Sequence, residues 1–146
     1  MKRRRNYGFT LVELILVLII LSLLAAIVVP KLVGTGREAR FNAAKGQISM
    51  FKDALERYAL YNYSQYPTSQ QGLKALVEKS GTPPIPKKWK GPYLDLIPMD
   101  PWGTEYKYEF PGKHFAKSFD VWSVGPDEQD GTEDDVGNWN LQEDKE

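Results

Sequence analysis

The stretch from Phe9 to Val29 constrains this chain most. Of its 21 residues, only Thr10, Glu13 and Ser22 are polar. As a helix it is about 31 Å long, enough to cross the hydrocarbon core of a bilayer. Lys2, Arg3, Arg4 and Arg5 precede it, and that basic end is predicted to stay in the cytoplasm. These four belong to a total of 19 basic residues, so the remaining 15 face 19 acidic ones. A net acidic remainder gives no electrostatic reason to expect nucleic acid. An ordinary secretory signal peptide also has a charged start and an apolar middle. Here the run is long for that role, and Ile27, Val28, Val29 and Pro30 offer no small-residue cleavage site. A retained anchor carrying one globular domain is the expectation.

Beyond the run, Pro30 removes a backbone donor, and Gly34 and Gly36 weaken the next turn. A kink or soft stretch is expected there. Phe41, Ala44, Ile48, Phe51, Leu55 and Tyr58 then come at intervals of three and four, a single apolar stripe on one helix face. A helix from Phe9 to Tyr61 is apolar all round in its first half and on one side only in its second. The first half calls for lipid or other helices, and the second for a globular partner.

Thr68 and Gln71 have the spacing of a capping box, and Leu73, Leu76 and Val77 give the apolar face of a second short helix stopped near Gly81. Six prolines between Thr82 and Gly103 exclude regular structure, while Trp89, Tyr93 and Trp102 predict that this loop is packed down. Then the period becomes two. Tyr106, Tyr108 and Phe110 alternate with charged residues as one strand, Pro111 and Gly112 turn the chain, and Phe119–Val124 reads as a second. The expected fold class is α+β, a small antiparallel sheet on the amphipathic half of a long helix.

Asp127, Glu128, Asp130, Glu133, Asp134 and Asp135 put six carboxylates into nine residues. Such an oxygen-rich loop is either a solvated acidic turn or a site for a hard cation such as calcium. It is not an EF-hand. With Gly131 as the loop glycine, the first ligand position falls on Pro126 and the twelfth on Gly137. Val124, Val136 and Trp139 flank the loop and predict that both ends are anchored. Catalytic chemistry is thin. There is no cysteine, His114 is the only histidine and is expected to be exposed in a turn, and no phosphate loop or nucleophile elbow is present.

The stretch RRRNYGFTLVELILVLIILSLLAAIVVP resembles the class III signal sequence of type IV pilin-like proteins. The segments YPTSQQGLKALVEK, WKGPYLDLIPMDPWGTEYKYEFPG and SVGPDEQDGTEDDVGNW extend the resemblance to the major pseudopilins of type II secretion, the general secretion pathway protein G family. The resemblance implies a pilin-like fold with three parts. Residues 1–8 are a leader that a prepilin peptidase removes after Gly8, and Phe9 is then N-methylated. Residues 9–30 are the transmembrane and assembly helix, and residues 31–146 are a periplasmic domain that includes the second half of the long helix. It also implies one bound calcium ion (Ca2+), held by side-chain oxygens of Asp127, Asp134 and Asp135 and by the carbonyls of Val124 and Gln129.

For Glu13 the resemblance implies pairing with the amino group at Phe9 of a neighbouring subunit. The physics agrees, because each charge is costly alone in an apolar bundle and docking offsets both. The implied role is structural: a homopolymer, the periplasmic pseudopilus, that drives export of folded proteins across the outer membrane. Implied partners are minor pseudopilins, the inner-membrane secretion platform and membrane lipid. Two competitors stand beside it: a true type IV pilin of a surface fibre for adhesion or DNA uptake, and a membrane-tethered enzyme or calcium-dependent binding domain.

Overall fold

The apolar spacing becomes one long helix. In the computed structural model, α1 spans Leu11–Tyr61, 51 residues, and it is unbroken where Pro30, Gly34 and Gly36 predict a soft stretch. A proline removes a single backbone bond, and here well-formed turns stand on both sides. The structure describes residues 10–141, without the side chains of residues 25–35. The leader, with Gly8, and Phe9 lie outside the described residues.

The chain divides into two compact units between Glu38 and Ala39. In the first, Thr10 and Glu13 cap the start of α1 reciprocally. The Glu13 N–H donates to Thr10 Oγ1 (3.2 Å), and the Thr10 N–H points at Glu13 Oε2 (3.4 Å). From Leu11 to Leu24 the large apolar side chains are 46–74% exposed, so nothing in this unit buries them. Among the described residues no helix is long and apolar enough to cross a membrane. Side chains are described for Thr10–Leu24 only of the predicted span Phe9–Val29.

The second unit is built on the stripe. Ala44, Ile48, Phe51 and Leu55 have no exposed surface, and Tyr58 is nearly as buried. The Phe51 ring packs edge-on against Tyr106 at 4.9 Å, and the Tyr106 hydroxyl donates to Gln47 on α1. The sheet above it is antiparallel, β1 (Lys107–Glu109), β2 (Asp120–Ser123) and β3 (Val136–Gly137), in that order. Tyr108 faces Val121 across β1 and β2, and Ser123 faces Val136 across β2 and β3. The sequence pattern does not predict β3: two residues carry no period, and only the return of the acidic loop brings them beside β2.

The predicted second helix is corrected. Thr68 and Gln71 do form the box, with the Gln71 N–H on Thr68 Oγ1 (3.2 Å) and the Thr68 N–H on Gln71 Oε1 (3.0 Å). Gly72, at φ +61°, then breaks the helical path. The chain makes only one 3-10 turn beyond it, Leu73–Leu76, ending well before Gly81. The proline-rich loop is packed down as expected. The Trp89 indole donates to the Ala75 carbonyl (3.0 Å), the Tyr93 N–H to that of Leu76 (2.7 Å), and Trp102 meets Phe41 edge-on at 5.1 Å.

Candidate functional site

The acidic loop leaves β2 at Val124 and returns at β3. Its two ends close on each other. Gly125 has φ +72°, and a Cβ there would collide with the Asp134 carbonyl oxygen. Within the loop the carboxylates are tied locally. Asp127 Oδ1 accepts the Gln129 N–H (3.0 Å), Asp134 Oδ1 the Thr132 hydroxyl (2.7 Å), and Asp135 Oδ2 the Gly131 N–H (2.8 Å). Asp130 Oδ1 accepts the Trp122 indole N–H at 2.7 Å, which fastens the loop back onto β2. The flanks anchor as the sequence predicts: Val124 and Val136 are buried, and Trp139 stacks on His114 at 3.8 Å.

The electrostatics are uneven. The hydroxyl of Thr132 holds the Asp134 carboxyl below its ordinary value. Burial, together with the neighbouring Asp130, Asp127 and Asp134 carboxylates, pushes the Asp135 carboxyl up. Asp135 Oδ1 is buried and makes no hydrogen bond. Among the described residues no three acidic or imidazole groups converge as a ready-made metal cluster. The donor set nonetheless fits a hard cation. It is all oxygen, its carboxylates repel one another at Asp135, and one buried carboxylate oxygen there lacks any partner. Of the five residues implied as ligands, Asp127, Asp134 and Asp135 share one field, Val124 is buried at the loop's start, and Gln129 is exposed in its middle.

Two buried carboxylates are not singled out by the sequence pattern. Asp120, 2% exposed, accepts the backbone N–H of His114 (2.8 Å) and lies 3.0 Å from its Nδ1, so His114 is half-exposed but clasped. Asp100, 5% exposed, accepts the N–H groups of Trp102 (3.0 Å) and Thr104 (2.7 Å) on one oxygen and the hydroxyls of Thr104 and Ser123 on the other. Its sequence signal, an aspartate opening Asp-Pro-Trp-Gly-Thr, marks a turn but not the reach to β2.

Comparison with known proteins places this arrangement. Residues 31–139 match the family model for type II secretion system (T2SS), protein G, and residues 3–29 match the prokaryotic N-terminal methylation motif. The chain belongs to the type II secretion protein G family. This pseudopilin is 45% identical over 139 residues to a type II secretion system core protein G of Dickeya chrysanthemi, covering 94% of this chain and 89% of that one. It is 45% identical over 143 residues to a protein of the same name in Pseudomonas aeruginosa, covering 95% and 99%. Its fold matches the crystal structure of the major pseudopilin from the type 2 secretion system of enterohaemorrhagic Escherichia coli. That match has a TM-score of 0.68 and 37% identity, and covers 74% of this chain and 89% of that one. The relatives carry the secretion-system name, which favours the pseudopilin over a pilin of a surface fibre.

Proposed function

We propose that this chain is a structural, non-enzymatic subunit that polymerises into a periplasmic pseudopilus and so drives export of folded proteins across the outer membrane. The observation that carries this reading is the methylation motif at residues 3–29 leading into an apolar helix with a single carboxylate, Glu13. A prepilin peptidase cuts after Gly8, Phe9 becomes the N-methylated terminus, and residues 9–30 anchor the chain in the inner membrane. In the filament Glu13 leaves its cap on Thr10 and pairs with the Phe9 ammonium of a neighbour. A subunit out of register leaves both charges unpaired, so the pair also sets position. Minor pseudopilins and the inner-membrane secretion platform are the remaining partners.

The acidic loop binds one calcium ion through Asp127, Asp134, Asp135 and the carbonyls of Val124 and Gln129. The unpartnered Asp135 oxygen and the crowded carboxylates support this. When bound, the ion neutralises the loop's repulsion and ties its two ends together. At 100 times the dissociation constant it adds ~2.7 kcal/mol to stability.

Intact mass of the chain, purified from membranes that contain the peptidase, tests the processing. The expected result is loss of Met1–Gly8 and gain of one methyl group. An uncut chain, or one cut beyond Val29, overturns the reading. A melting temperature that is the same in calcium and in chelator overturns the calcium assignment.

A further inference from the structure

Asp100 joins its own turn to the end of β2. Oδ1 holds its own turn by accepting the Trp102 and Thr104 N–H groups. Oδ2 accepts two hydroxyls, that of Thr104 in the same turn and that of Ser123 at the end of β2. Ser123 is fully buried, and its Oγ in turn accepts the Gly125 N–H at 3.1 Å. The hydroxyl proton is committed to Asp100, so the oxygen lone pair is left facing Gly125. The result is a directional chain from Asp100 through Ser123 to Gly125.

The Gly125 N–H and the Val124 carbonyl belong to one planar peptide unit, and they point in opposite directions across a trans bond. The cis bonds among the described residues all precede proline, so this unit is trans. Fixing the N–H on Ser123 therefore fixes the carbonyl, aimed away from the Ser123 hydroxyl. We infer that Asp100 is a positioning residue for the cation loop, orienting the Val124 carbonyl through Ser123. The inference rests on the calcium reading above. Nothing at Asp100 itself touches the ion. Its effect is to remove the freedom of one donor before the ion arrives, and Gly125, closed on the Asp134 carbonyl, is the point where that order reaches the other end of the loop.

Asp100→Asn keeps an oxygen for the Trp102 and Thr104 N–H groups but puts an amide where the Thr104 and Ser123 hydroxyls need an acceptor. Ser123→Ala breaks the same relay and leaves the Asp100 turn intact. Calcium alone is titrated calorimetrically into the full chain in detergent micelles. The variants are each single, the double, and Asp127→Asn as a ligand control. Groups that orient metal ligands typically change affinity about 10–100-fold, so each single variant is expected to bind calcium about 10-fold more weakly. The double variant should be no weaker than the weaker single, because both changes cut one relay. If Asp100→Asn does not fold, wild-type affinity in Ser123→Ala by itself overturns the relay.

Wild-type affinity in both single variants, with binding still lost in Asp127→Asn, overturns the positioning role and leaves the calcium reading standing. Losses that multiply in the double variant also overturn it, since they mean two independent local effects. A wild-type chain that takes up no calcium overturns both readings.

Discussion

Two glycines of the acidic loop share a backbone conformation but not their surroundings, and the pair measures how tightly the loop is closed. Gly125 (φ +72°) and Gly131 (φ +88°) both sit where an L side chain is strained. A Cβ at Gly131 meets nothing within 4 Å, whereas one at Gly125 runs into the Asp134 backbone. Gly131→Ala thus incurs conformational strain alone, about 1–2 kcal/mol. Gly125→Ala adds to the same strain an overpacking cost of about 1–3 kcal/mol, because backbone, not a flexible side-chain end, has to give way. Urea unfolding of the full chain in mild detergent with chelator, followed by tryptophan fluorescence, reads the difference. All four tryptophans lie between Trp89 and Trp139, so the signal reports on the second unit. Gly125→Ala is expected to be the weaker variant by about 1–3 kcal/mol. Equal losses within about 0.5 kcal/mol, the usual precision of additivity, would falsify the closure of Gly125 on Asp134.

Phe51→Ala empties a fully buried site between α1 and the sheet, and should cost about 3–5 kcal/mol in the same urea assay. A loss below about 1.5 kcal/mol means that the helix stripe does not hold the sheet as described. Asp100 makes acid sensitivity predictable in sign. Burial alone would raise its carboxyl, but the hydrogen bonds from Ser123, Thr104 and Trp102 carry it below its ordinary 3.8. Its stabilising contribution is therefore whole above pH 3.8 and fades as the pH falls through the lower folded-state value. The gap in urea midpoint between wild type and Asp100→Asn should shrink as the pH is taken below 3.8, and a gap independent of pH refutes the argument.

Much of this protein is dictated by local pattern. Apolar residues at every position from Leu11 to Leu24 except Glu13 and Ser22, then at every third or fourth from Phe41 to Tyr58, can be satisfied by one helix with two kinds of surface. That periodicity is a property of consecutive residues, so it is visible without a fold. The same holds for the Thr68–Gln71 box and for the six carboxylates of the acidic loop. The helix expected after Thr68 does not form because Gly72 at φ +61° is a conformation, not a composition.

The tertiary structure decided the pairings between distant residues. β3 exists only because the loop carries Val136 back to Ser123, and His114 is clasped only because β2 places a buried Asp120 beneath it. Asp100 reads in the sequence as a turn aspartate, yet one of its oxygens finds Ser123 across the fold and, through it, the first peptide of the loop. The physical reason is shared. A periodic face needs only its neighbours in sequence, while a buried hydrogen-bond partner is chosen by what the packed core brings within about 3 Å.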